Sequence, residues 1–400
     1  MTKTANKSRL ARTGTLVLIA VVLLIGGGVL MVWLPSYRNQ SAMAEIENLG
    51  GTAYSEIVRP AWVPDAVDDE YLTVFERVNK VDFIDTQVSD AGLEHLRRLT
   101  SLRILSLGNT QVSDAGLGHL GELTNLVELW LHNTQIGDTG LKHLRGMKNL
   151  KLLFLDHTQV SDDGLEHLRG LTNIRRLSLH STQVGDAGLE HLSELTSLST
   201  LFLHDTQVSD DGLEHLRGLT KLQWLSLGYT RVSNIGLEKI SRLLNLDTLS
   251  LGNTQVSDVG LEHLQGLTNL RSLSLFNTQA GDVGLEHLRG LTNLESLTLH
   301  NTQVSDAGLE HLSGLTSLNT LWLNNTQVSD AGFKHLQGLT NLRDLNLSDT
   351  QFSDAGLEYL RGLTRLEHLW LHNTQVTQAG VKELQKALPD SKIIWTPPAE

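Results

Sequence analysis

The chain has 400 residues, 40% of them apolar but only 5% aromatic, a composition that does not suit the two or three ring-filled globules its length would otherwise predict. It lacks cysteine, which excludes a disulfide framework, a thiolate metal site and a cysteine nucleophile. The formal charge is −13, or −17 once Lys3, Lys7, Arg9 and Arg12 at the start are set apart, which argues against nucleic acid and against a strongly acidic partner.

In chain order, residues 1–13 form a basic tail. Residues 14–34 are 21 positions without a charge, long enough for a helix to cross a hydrocarbon core about 30 Å thick. Pro35 ends the run, and the basic flank before it predicts a single-pass signal-anchor with the tail in the cytoplasm and the large carboxyl part outside. The alternative is a secretory signal cleaved after Ala44, in the small-residue site Ala42-Met43-Ala44, which would release the protein. Residues 35–77 read as a juxtamembrane segment and amino-terminal cap. Within them Ser41 to Gly50 predicts a short amphipathic helix, and Trp62, Tyr71, Leu72 and Phe75 suit a lid over the first coil.

From 78 to 389 one unit, close to T-Q-V-S-D-A-G-L-E-H-L-R-G-L-T-N-L-x-x-L-x-L-x-N, recurs 13 times with a period of 24 residues and no insertion. Threonine holds one column from Thr86 to Thr374 and glycine another from Gly92 to Gly380. In Leu102-x-x-Leu105-x-Leu107 the period is two, so Leu105 and Leu107 share one face of a short strand while Ile104, Ser106 and Gly108 share the other. Ser89 to Leu96 predicts a short helix, with Ser89 or Asp90 as its cap and Leu93 and Leu96 buried. Strand and helix alternate 13 times, so neighbouring strands must be parallel and the economical packing is a right-handed coil around leucine. Residues 390–400 close the array as a carboxyl-terminal cap and tail, with Ile393, Ile394 and Trp395 in a last irregular strand.

The run L-x-x-L-x-L-x-x-T resembles the leucine-rich repeat family, with threonine where many members place asparagine or cysteine. The juxtamembrane Glu45-Ile-Glu-Asn-Leu-Gly-Gly51 followed by such repeats is similar in style to membrane-anchored leucine-rich repeat proteins of planctomycete bacteria. The expected fold is therefore an α/β solenoid, a right-handed leucine-rich repeat horseshoe with a parallel concave sheet and short convex helices, preceded by one transmembrane helix.

Several columns are structural in this reading. Thr and the following Gln satisfy backbone groups where the chain leaves the strand, the acidic column from Asp90 to Asp354 favours helix starts through the dipole, and the glycine lets neighbouring coils approach. One carboxylate per coil is too few for calcium, and the ten histidines of the L-E-H-L column lie on a solvated helix exterior.

Function is sought where the copies differ and the side chain faces solvent, at the third, fifth and seventh places of L-x-x-L-x-L-x. Those 39 places hold Trp130, Phe154, Phe202, Trp224, Phe276, Trp322 and Trp370, an enrichment of rings on a surface expected to be polar; Tyr229 stands beside them at an eighth place. One patch gathers Trp130, His132, Phe154, Asp156, His157, His180, Phe202, His204, Asp205, Trp224 and Tyr229, and a second gathers Trp322, Asn324, Asn346, His368, Trp370 and His372. Between them Ser250, Gly252, Ser272, Ser274, Ser296 and Thr298 make a smoother floor. His132, Asp156, His180 and His204 occupy the seventh place of four consecutive coils and are the candidate metal ligands, although parallel side chains on a ladder converge poorly. Ser178, His180 and Asp156 lack an oxyanion hole, and no phosphate-binding glycine loop is present. The sequence thus predicts a non-catalytic scaffold without cofactor that holds a protein partner on its concave face. A glycan stacked on Trp130, Trp322 and Trp370 is the alternative, and a metal-dependent hydrolase on the His/Asp run is a weaker one.

Overall fold

The computed structural model describes residues 36–37, 39–61 and 63–396. The expected membrane span at 14–34 lies outside the described residues; among those described, no helix is long and apolar enough to cross a membrane. Fifteen strands form one open sheet in sequence order. β1 (Thr52–Ile57) pairs antiparallel with β2 (Glu76–Asp82), and every later strand is parallel to the one before it, through to β15 (Lys392–Thr396). The register repeats the period of the sequence: Leu105 lies opposite Leu129, Leu129 opposite Leu153, and Leu153 opposite Leu177. Each strand from β3 (Ile104–Ser106) to β13 (Asp344–Asn346) is three residues long, with a fully buried leucine at its centre. Period-two burial thus puts one leucine of each strand in the core and its two neighbours on the sheet surface.

The return segments cover the residues the sequence predicts, Asp90–Leu96 with Ser89 at the N-cap in the first, but they are partly or wholly 3-10 in character. A typical one is a single α-turn, Asp114–Leu117, followed by a 3-10 turn, Gly118–Leu120, which suffices to bury Leu117 and Leu120. Threonine behaves as expected, since Thr110 Oγ1 donates to the carbonyl of Leu107 at 2.6 Å and the same bond recurs in all 13 copies. The glutamine side chains sit outside; it is their backbone N–H groups that bond the preceding coil, Gln111 to Val88 at 3.1 Å for example.

The acidic column stands in the first helical turn, as its dipole reading expects, and it also acts between coils. Asp90 Oδ1 accepts from Ser113 N at 2.7 Å and Oδ2 accepts from Ser113 Oγ at 2.6 Å. The Oδ1 bond is present at all twelve junctions between coils. The glycine column exists for the same carboxylate. A Cβ on Gly116 would stand 2.4 Å from Asp90 Oδ1, so only glycine lets the carboxylate reach past it to the backbone.

The ends are closed by segments outside the repeat. Residues 39–48 are helical, Gly50 ends the turn at φ +81°, and Ala42, Ile46 and Leu49 cover the first coil. Leu72 is buried, Tyr54 is 48% exposed and Phe75 half-buried, while Trp62 and the side chain of Tyr71 lie outside what is described. The core is not free of rings: Phe83 fits against Gly51, and Phe333 and Phe352 meet edge to face at 4.6 Å, all three fully buried. At the other end Ile393 and Trp395 pack on the core, with Trp395 Nε1 donating to Val376 O at 2.9 Å.

Candidate binding surface

The third and fifth places of each coil flank the buried strand leucine, and the seventh follows the next buried leucine, so all three project from one side of the sheet. At the eighth place the chain turns off the strand in a left-handed conformation. All thirteen residues from Asp85 to Asn373 have φ between +50° and +61°. Asparagine and aspartate tolerate that conformation and link to one another: Asn133 donates to Asn109 at 2.7 Å and Asn325 to Asn301 at 2.7 Å. Two members break the pattern with rings, His157 at φ 52° and Tyr229 at φ 55°. A tyrosine held there costs about 1 kcal/mol relative to an ordinary backbone region.

The structure brings the sequence-predicted rings together differently from two patches and a floor. Trp130 and Phe154 stack face to face, with centroids 4.0 Å apart and planes at 15°, and each is half-buried by the other's presence on the sheet. Phe202 meets Trp224 edge to face at 5.1 Å. Trp370 stacks on His368 at 5.5 Å, and His368 is held by Asp344 at 2.9 Å, while His372 Nδ1 lies 3.0 Å from Thr396 Oγ1 on the last strand. The longest group runs along the turn edge of the sheet. His157 contacts His180 at 4.8 Å, His180 contacts His204 at 4.7 Å, and His204 contacts Tyr229 at 4.8 Å. It then continues from Tyr229 to Phe276 at 5.9 Å, to His300 at 4.8 Å and to Trp322 at 5.9 Å. Phe276 and His300 therefore join the two patches across the supposed floor. His300 is not among the sequence-predicted rings, although it occupies the same seventh place as His180 and His204.

Glycines in the seventh place make room for this edge. A Cβ on Gly108 would fall 2.0 Å from the ring of His132, one on Gly228 would fall 2.8 Å from His204, and one on Gly252 would fall 2.0 Å from Phe276. The rings lean over their glycine neighbours and shield one another. Burial holds the imidazoles of His204 and His300 below the ordinary histidine pKa, and His180 adds to this at His204. His300 Nδ1 is buried without a hydrogen-bond partner among the described residues, which further favours its neutral form. Exposure concentrates on three members, Trp224 at 42%, Tyr229 at 46% and Trp322 at 37%.

The candidate metal ligands do not converge. His132 lies over Gly108, Asp156 accepts from Ser178 Oγ, and His180 directs Nδ1 at the carbonyl of His204 at 3.1 Å. Among the described residues no three His, Cys, Asp or Glu side chains are grouped as a metal site. The geometry removes the physical basis for a metal-dependent hydrolase on this run. The ten-histidine column on the opposite side has a structural use in several coils: Arg145 approaches His167 Nδ1 at 2.7 Å and Glu166 at 3.6 Å, and Arg169 pairs with His191 and Glu190 in the same way.

A family model described as leucine-rich repeats in two copies matches residues 100–146, 244–290, 292–335 and 340–384. These segments carry leucine-rich repeats. The chain's repeats are similar to those of the crystal structure of an internalin, inlF, from Listeria monocytogenes, with 25% identity, a TM-score of 0.67, and coverage of 92% of this chain and 96% of that one. A leucine-rich repeat protein of Leptospira interrogans has the same fold at 21% identity and a TM-score of 0.60, over 75% of this chain and 80% of the other. No curated protein matches the sequence.

Proposed function

We propose that this repeat protein is a non-catalytic scaffold that binds a protein partner on its concave sheet face. The observation that carries the reading is Tyr229, a large ring 46% exposed in a left-handed backbone position where every other coil has Asn, Asp, Ser or His. The repeat does not need a tyrosine there, since asparagine serves the turn without strain, so its use lies in what it presents to solvent. Trp224 and Trp322, the other two exposed rings, supply broad, stiff contact area of the kind that anchors protein interfaces. The same geometry favours a protein over a glycan. Trp130 with Phe154, and Phe276 with His300, turn their faces to each other at 15° and 1°, leaving edges where a sugar would need faces. The uncharged run 14–34 supports a membrane anchor with the repeats outside the cytoplasm.

The test is crosslinking capture from the native membrane, comparing the wild-type chain with a variant carrying Trp224→Ala, Tyr229→Asn and Trp322→Ala. We expect the variant to lose a partner captured by the wild type while its melting temperature is held or raised. Equal recovery of the same partner would refute the reading.

A further inference from the structure

The second and third places of each coil border the ring surface on the side where the strands begin, and they carry most of its charge. In the later coils that charge is neutralised within the chain: Arg271 pairs with Glu295 at 2.9 Å, Arg343 with Glu367 at 2.6 Å, and His368 with Asp344 at 2.9 Å. In the first five coils most of it is not. The same two columns there hold Lys80, Arg103, Lys151, Arg175 and Arg176 against a single acid, Glu128. Lys80 lies over the Tyr54 ring at 4.9 Å and approaches Asp82 at 3.8 Å. The side chains of the other four are exposed, and none makes an ion pair or hydrogen bond among the described residues. Elsewhere among the described residues eight arginines pair with glutamates, so four unpaired cations gathered around the one carboxylate of Glu128 make a local reversal of sign.

Apolar side chains stand between these cations. Ile104, Val127 and Leu152 are half-buried, and the Trp130–Phe154 stack borders them. Two adjoining open hollows, of about 400 and 460 Å³, share Arg103 and Val127 in their walls. Strands stack about 4.8 Å apart, so the cations span five strands, a reach of about 20 Å, the length of some six extended residues at roughly 3.3 Å each.

We propose that this groove docks an extended acidic peptide segment of the partner, one that alternates carboxylates with apolar side chains. The carboxylates meet Arg103, Lys151, Arg175 and Arg176 while the apolar side chains enter the floor at Ile104, Val127 and Leu152. The inference rests on the reading of the concave face as a protein-binding surface and gives the partner a chemistry. It also reverses, for this one region, the expectation from net charge that an acidic partner is excluded. An anionic polysaccharide would satisfy the cations and waste the floor.

The test uses the full chain in detergent and a fluorescein-labelled octapeptide alternating glutamate with leucine, followed by fluorescence polarisation. We expect saturable binding at low salt that weakens about tenfold or more at 300 mM salt, because surface charges are then screened within a few ångströms. Arg103→Ala with Arg176→Ala should weaken it about tenfold, and Glu128→Gln should strengthen it about threefold by removing the one opposing carboxylate. All three positions are at the surface, so folding is not at stake. Binding weaker than about 1 mM, equal binding of a lysine–leucine peptide, or tight binding of dextran sulfate with none of the acidic peptide would each overturn the proposal. If the peptide fails while partner capture still depends on Trp224, Tyr229 and Trp322, the groove is wrong and the scaffold reading stands; if the peptide binds and capture ignores those rings, the converse holds.

Discussion

Replacing Asp186 by alanine removes both oxygens that hold one coil to the next. Asp186 Oδ1 accepts from Ser209 N at 2.7 Å and Oδ2 from Ser209 Oγ at 2.6 Å, and Ser209 is half-buried. Hydrogen bonds to an ionised group contribute about 1.5–3 kcal/mol each; partial solvent access places both at the lower end, so the loss is about 3 kcal/mol. Asparagine should cost far less, and the molecule already shows why. At Asn234 the amide accepts from Ser257 N at 2.8 Å and donates to Ser257 Oγ at 2.9 Å, keeping both bonds with one reversed. We therefore expect Asp186→Asn to cost about 1 kcal/mol, the difference between charged and neutral bonds. Gly212→Ala supplies a third arm, because its Cβ would stand 2.5 Å from Asp186 Oδ1 and 3.0 Å from Asp186 Cα. Its penalty should be relieved in part when Asp186→Ala is present, which a double-mutant cycle measures. Urea unfolding gives the global values, and amide exchange at Ser209 gives the local one in an array whose coils need not melt together. Equal cost for alanine and asparagine, or a cost below about 0.5 kcal/mol for alanine, would refute the inter-coil role.

Two further outcomes follow from the ring surface. Tyr229→Asn should raise stability by about 1 kcal/mol, because asparagine suits the left-handed position that tyrosine strains, while weakening partner capture; a destabilised variant would mean that the contacts of Tyr229 with His204 and Phe276 outweigh its strain. The second concerns pH. His143, His167, His204 and His300 are all held below the usual 6.5, mainly by burial, so the unfolded chain binds protons more readily than the folded one. Their contribution is complete above pH 6.5 and is lost as pH falls through the depressed values, so melting temperature should drop on mild acidification and His300→Leu should flatten the drop. A melting temperature that rises between pH 7 and 5.5 would contradict the assignment.

What could be read from one unit of the sequence was read correctly. Leu105 and Leu107 alternate with Ile104 and Ser106, and the leucines are buried coil after coil, although small outward residues such as Ser106 are covered as well. What escaped depends on contacts 23 to 26 residues away. Asp90 next to a helix start has an obvious local use, and only the stacked register shows that its oxygens reach Ser113 and lie against Gly116. The left-handed turn at Asn109 was hidden because the asparagine beside the threonine column drew no question. Phe333 and Phe352 appeared as a Leu-to-Phe and a Val-to-Phe exchange in separate coils, and only the packing shows that each makes room for the other. The ring edge had the same cause: Phe276 and His300 lie one coil apart, and counting residue types within a column does not reveal that their planes are parallel.

The link between coils has a direction. Each unit offers a side-chain oxygen forward, a carboxylate everywhere but at Asn234, and receives one from behind, so the bond from backbone N–H to Oδ1 repeats at every junction. At the last unit the pattern stops by itself: Asp354 is used by Thr377, and Gln378 stands where the next carboxylate would be. A ladder built in this way can lose or duplicate a whole rung without leaving an unmatched joint, since the new neighbours meet through the same atoms. Length is then an adjustable property of the molecule, changing in steps of one strand spacing, about 4.8 Å, while the terminating residue marks where the ladder ends.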